Sequence, residues 1–183
     1  MAFADALSIL GAIELARHRY EAAEKNLRDA IRAAVEIPHL LTQLYATESL
    51  ARCLLSQGRK LQAEGELVAV LPLIPKVGHS AAPEPLATLA EVYRQTDRHH
   101  AAVLILSLSA SVASSTGYDP YPVLADQMQR SKSQLKLALT DSEFDAAWKA
   151  GAGLTIDQAI SYALTALDHE VAHQGPRDAL PGT

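Results

Sequence analysis

Small and large apolar residues recur along the first two thirds of the chain at a spacing of about forty residues. Ala23, Ala63 and Ala102 are each followed one turn later by Leu27, Leu67 and Leu106, and then by Ala30, Val70 and Ser109. A second small residue, Gly11, Ala51 or Ala90, precedes each of those alanines at a constant interval. Small side chains let two antiparallel helices cross at roughly 8–10 Å. The Leu one turn on lies on the same face and fills the groove between them. A single helix pair cannot bury its own apolar face, so such pairs stack.

The period predicts three pairs over residues 1–117. The first pair is Phe3–Arg17 and Tyr20–Ile37, ended by Pro38. The second is Leu40–Gln57, ended by Gly58, and Lys60–Leu71, stopped by Pro72 and Pro75. Val77–Ala82 reads as loop. The third pair opens on Pro83 and Pro85, runs to Thr96, and resumes as Arg98–Ser114 with Asp97 as its cap. Ser115–Asp119 reads as a linker.

Residues 118–172 then read as closing helices, one long and two shorter. Asp119-Pro120 opens the long one, Tyr121–Leu139, with Val123, Leu124, Met128, Leu135 and Leu139 on its inner face. Thr140–Glu143 and Thr155–Gln158 are capping boxes, opening Asp141–Ala150 and a last helix from Ile156 to Ala172. Residues 173–183, with two Pro and two Gly, read as a disordered tail. The expected fold is all-α: a helical-repeat solenoid of three pairs in a right-handed superhelix, closed by about three C-terminal helices.

The first helix is apolar on nearly every side, through Phe3, Leu7, Ile9, Leu10, Ile13 and Leu15. An end helix of a solenoid should be polar outside. Phe3, Leu7, Ile9 and Ile13 are therefore candidates for self-association as a homodimer, or for docking an upstream domain. The plainer alternative is that the following repeats cover them.

The pattern over Ala2–Gly117 resembles the tetratricopeptide repeat, with its small residue in the first helix and its Ala, large apolar and small residues in the second. It is a divergent match. The family's first-helix Trp position reads Leu7, Thr47 and Leu86, its closing Pro is matched by Pro75 alone, and the period here is longer. The segment Ser142–Leu164 resembles the closing segment of bacterial LuxR-type and related STAND regulators, through Phe144, Ala147, Trp148, Gly151, Leu154, Thr155, Gln158, Ala159, Ala163 and Leu164. That resemblance implies a regulatory arm that binds a protein, a peptide or an effector, without catalysis or cofactor. The chain carries no phosphate-binding loop ending in Gly-Lys-Ser/Thr, and no helix-turn-helix follows Leu167. It reads either as one region of a larger regulator or as a stand-alone relative.

Composition narrows the classes further. A net charge of −5 without a basic run argues against direct nucleic-acid binding. Cys53 is alone, which excludes an internal disulfide or a Cys-based zinc site and suits a reduced, cytoplasmic setting. Asp5 and Glu14 interrupt Met1–Ala16, which does not read as a signal peptide. The apolar run Ala101–Ala113 is too short for a bilayer, so no membrane partner is expected.

Three motifs bear on function. His169-Glu170-x-x-His173 has the spacing of a zinc peptidase, but Gln174–Thr183 offers Asp178 and no further His or Glu as a third ligand. The plain reading is that no metal or catalytic residue is present. Phe144 and Trp148, one turn apart, form either an exposed binding anchor or a plug for the last repeat. In a solenoid of helix pairs, the first helix of each pair lines the concave groove. By register, Ser8, Ala12, Tyr45, Glu48, Arg52, Glu91, Arg94 and Gln95 are the candidate partner-binding residues. Glu48 and Arg52 also fit a surface pair one turn apart.

Overall fold

The computed structural model describes residues 2–173, with side chains to Thr165. The chain is all-helical among these residues. α1 (Ala2–Ala16) and α2 (Tyr20–Glu36) form the first pair; α3 (Leu40–Ser56) and α4 (Lys60–Val70) form the second. The connection expected as loop is instead a 3-10 turn at Leu71–Leu73, one helical turn α5 (Ile74–Val77), and a second 3-10 turn at His79–Ala81. Pro72 and Pro75 sit in the first turns of these short pieces, where a missing N–H costs nothing. The third pair is α6 (Pro83–Gln95) and α7 (His99–Thr116). Then come α8 (Pro122–Ala138), α9 (Asp141–Ala152) and α10 (Ile156–His173). With 18 residues, α10 is no shorter than α8 at 17, and His173 belongs to it rather than to a tail. Residues 174–183, expected to be disordered, lie outside the described residues.

The repeat positions form the core. Ala23, Leu27, Ala63, Leu67, Ala102 and Leu106 are buried, as are Gly11, Ala51 and Ala90. Each pair turns on one residue with a left-handed backbone: His18 (φ 58°), Gly58 (φ 74°) and Asp97 (φ 60°). Asp97 is therefore the turn residue and not the cap of α7. Arg98 occupies the cap position, without a side-chain capping bond. Likewise Asp119 and Pro120 precede α8, whose first residue is Pro122 and whose cap is Tyr121. Ser115 and Thr116 extend α7, which ends on left-handed Gly117. On α8, Leu124 and Leu135 are fully buried, while Val123 is exposed.

Successive pairs are joined by charge as well as by packing. An arginine follows each left-handed residue: Arg19, Arg59 and Arg98. Arg59 Nη1 donates to Glu24 Oε2 across 2.5 Å. Arg98 holds Glu64 in a fork, Nη1 to Oε1 at 2.8 Å and Nη2 to Oε2 at 2.5 Å. Glu24 and Glu64 each stand next to the crossing Ala of the preceding pair, so the turn of one pair grips the second helix of the pair before it.

The array is closed at its C-terminal end. Both capping boxes form, with the side chains of Thr140 and Thr155 accepting from the N–H of Glu143 and Gln158. Phe144 is buried, and Trp148 stacks on it with ring centroids 5.6 Å apart, so the pair plugs the last repeat. α9 lies so close on α7 that a Cβ on Gly151 would stand 2.2 Å from the Leu104 carbonyl oxygen.

Two expectations test this architecture. Glu64 is fully buried, so Arg98→Ala leaves a carboxylate unpaired and should cost about 3–5 kcal/mol. Arg59→Ala should cost about 1 kcal/mol or less, because Glu24, only partly buried, keeps Arg28. Urea unfolding of the two variants measures the difference, and equal losses would refute the link. Gly151→Ala should cost about 1–3 kcal/mol by pushing α9 off the α7 backbone. An unchanged melting temperature would show that the approach is looser than described.

Candidate functional site

The first helices of the three pairs face a common hollow, and α8 crosses it. A cavity of about 570 Å³ lies between α1, α3, α6 and α8. A second of about 410 Å³ adjoins it through Ala12, Ala16, Arg52 and Val123. The larger is lined by Ala12, Arg52, Glu91, Arg94 and Gln95; the smaller by Ser8, Ala12, Tyr45, Glu48 and Arg52. All eight candidate groove residues thus line one continuous hollow.

What the register did not disclose is the fourth wall. Tyr121, at the cap of α8, accepts a hydrogen bond from Arg52 Nη1 at 2.8 Å. Ser131 donates to Glu91 Oε2 at 2.8 Å. α8 therefore lies over the hollow and contributes Val123, Gln127, Arg130 and Gln134 to its lining. The alternation of apolar and polar positions on α8 showed that it has an inner face, but nothing in its sequence says which surface that face meets.

Two carboxylates in the hollow have opposite environments. Glu91 sits half-buried among donors: Arg94 binds it through Nε at 2.8 Å and Nη2 at 2.6 Å, and Gln95 and Ser131 add two more bonds at 2.8 Å. Burial alone would raise its pKa, but these donors outweigh burial and hold it below the ordinary carboxylate value. Glu48 is not the surface partner of Arg52 that the spacing suggested. It is buried, accepts from Thr88 Oγ1 at 2.7 Å, and stands 3.9 Å from Arg52 Nε. Burial pushes its carboxyl above the ordinary value, against the pull of Arg52 and Thr88. Burial also drives Tyr121 up to about 12, with Glu48 adding repulsion.

The charge balance follows. The four donors on Glu91 saturate it, while Arg130 is exposed and forms no ion pair among the described residues. Arg52 is shared between a hydroxyl and a distant carboxylate. The hollow is thus walled by guanidinium groups with donor capacity to spare; of the three acids that line it, Glu91 is tied up, Glu48 is buried, and Glu84 accepts from the Tyr118 hydroxyl.

Of the other candidates, Ile9 also lines the smaller cavity, and the rest separate from this site. Phe3, Ile9 and Ile13 are exposed on α1, whereas Leu7 is half-buried against the core. Leu10, also exposed, belongs with the first three. Cys53 is buried and unpaired, and burial raises its thiol pKa. The side chains of His169-Glu170-x-x-His173 lie outside the described residues. No helix among the described residues is long and apolar enough to cross a membrane.

A carboxyl whose folded pKa exceeds its unfolded value holds extra protons in the folded state. Stability then falls as pH rises from the unfolded value of 4.5 through the folded one. Glu48→Gln keeps an acceptor for Thr88 and removes that slope. The variant should be at least as stable as the parent at neutral pH, with a flatter stability profile between pH 4.5 and neutrality. Urea titrations across that range measure this; a less stable variant with the slope intact would contradict it.

No family model matches the chain, and no solved structure matches it. Curated HTH-type transcriptional regulators do: one from Mycobacterium bovis and two from Mycobacterium tuberculosis, each 31% identical over 81 residues. That stretch takes in 44% of this chain but 9% of each regulator, so the chain matches less than a tenth of the length of these relatives. The all-helical chain is similar to one segment of transcription regulators.

Proposed function

We propose that this chain is a non-catalytic sensing arm of a transcription regulator, and that its hollow takes a small anionic effector. The observation that carries this reading is the convergence of Arg52, Arg94 and Arg130 on a bounded cavity of about 570 Å³, roofed by a helix held to the groove by two hydrogen bonds. Cavities of that size suit a compact ligand. A long extended peptide would have to displace α8. The similarity to segments of HTH-type regulators supports the setting. The resemblance of Ser142–Leu164 to the closing segment of LuxR-type and STAND proteins, and of the three pairs to tetratricopeptide repeats, agrees with it.

A ligand that displaces Tyr121 or Ser131 from Arg52 or Glu91 would free α8, and one that bridges to Arg130 would fix it. Either way, binding is converted into the position of one helix. A second reading, a free-standing tetratricopeptide adaptor, rests on the same groove with a peptide in it.

The test is a thermal-shift survey of small phosphorylated and carboxylated metabolites, with a peptide library in parallel. An effector at a hundredfold excess over its Kd should stabilise the chain by about 2.7 kcal/mol. The shift should vanish in the Arg52→Ala, Arg130→Ala double variant. Binding by peptides alone would favour the adaptor. No binder of either class would overturn the groove reading.

A further inference from the structure

The N-terminal end of the array is an unfinished repeat interface. Ala6, Leu10 and Ile13 of α1 correspond, forty residues on, to Ala46, Leu50 and Cys53 of α3, and then to Pro85, Leu89 and Val92 of α6. Leu50, Cys53, Leu89 and Val92 are 0% exposed, because α2 and α4 of the preceding pair pack on them. Leu10 and Ile13 are 43% and 41% exposed. The same three register positions are thus core in the second and third pairs and bare in the first. Ile9 and Phe3 widen the patch, at 61% and 69%.

Charge marks the same boundary. Arg59 and Arg98 each reach a glutamate on the second helix of the preceding pair. Arg19 has the same place in the turn, with φ −91° and ψ 68° against φ −84° and ψ 59° for Arg59 and φ −87° and ψ 58° for Arg98. Yet among the described residues it meets only Glu14 of its own pair, at 3.3 Å, and its side chain is 63% exposed. At the other end the link is terminated by sequence. The position equivalent to Glu24 and Glu64 is Val103, buried beneath the closing helices. The C-terminal end of a second copy therefore offers Arg19 no carboxylate.

We propose that the face formed by Ala6, Leu10, Ile13 and Arg19 docks one further antiparallel helix pair of the same repeat type, whose second helix carries a glutamate in the register of Glu24 and Glu64. Its apolar residues cover Leu10 and Ile13 as α2 covers Leu50 and Cys53, and its glutamate takes Arg19 as Glu24 takes Arg59. This inference is independent of what the hollow binds, and the two stand or fall separately.

The probe is the chain's own first pair. Placing a second copy of residues 1–40 directly ahead of Met1 preserves the period, since Leu41 is the register equivalent of Met1. Glu24 of the added copy then falls opposite Arg19 of the original chain. Amide exchange in the original α1 should slow by about tenfold or more, and the melting temperature should rise. Arg19→Ala in the original copy should reverse part of the gain, while Arg19→Ala in the unduplicated chain should leave melting unchanged. Ile13→Glu should be tolerated in the unduplicated chain and should abolish the gain when placed in the original copy. Unaltered exchange in the original α1 would overturn the proposal. So would loss of folding on Ile13→Glu in the unduplicated chain, which would show the face already covered. A stable two-fold dimer of the unduplicated chain cross-linking through Ile9→Cys would overturn it as well, by assigning the face to a second copy.

Discussion

The second and third pairs in this chain are each fixed by a turn that reaches backwards. The left-handed residue at Gly58 or Asp97 brings the next arginine under the preceding second helix, where a glutamate waits beside the crossing alanine. Apolar packing alone would tolerate some sliding of one pair over another, because Ala and Leu make no directional demands. A planar guanidinium held on both oxygens of a buried carboxylate admits one register. The first helices of the pairs are aligned by this constraint, and their alignment is what turns Tyr45, Arg52, Glu91 and Arg94 towards one hollow instead of scattering them around a bundle.

Much of the fold was legible because it rests on local chemistry. The alanine and leucine spacing set the pairs, and the two capping boxes placed the starts of α9 and α10. Phe144 and Trp148 offered an anchor or a plug by one-turn spacing, and the burial of Phe144 under the stacked Trp148 selects the plug. The two caps were misread for different reasons. Asp97 and Asp119 are good capping residues by type, but a turn that needs a left-handed backbone took the first, and Pro122 set the helix start past the second. The sequence carried Arg19, Arg59 and Arg98 at the repeat period, a signal that reading for apolar positions alone passes over. The burial of Glu48 was beyond local reasoning, since Thr88 and the helices that desolvate it come from other pairs. So was the seat of α8, which is chosen by the surface it meets.

The hollow itself couples two kinds of group. Glu91 is ionised and crowded with donors, and it organises Arg94, Gln95 and Ser131 into a fixed rim. Glu48 is held in a dry setting that raises its pKa, 3.9 Å from Arg52. One acid thus serves as scaffold, while burial disfavours the charge of the other. Around these acids a mildly acidic chain gathers Arg52, Arg94 and Arg130 on one hollow.

The hydrogen bond from Arg52 to Tyr121 joins residues 69 apart in sequence, while the links between pairs join residues 34 or 35 apart. Closing the longer loop has the larger entropic cost, and neighbouring pairs can assemble without it. During folding the three pairs and their turns should therefore form first, leaving the hollow open to solvent until α8 arrives. The same order should run in reverse on gentle destabilisation. A nascent chain would present its binding hollow before it has the helix that roofs it.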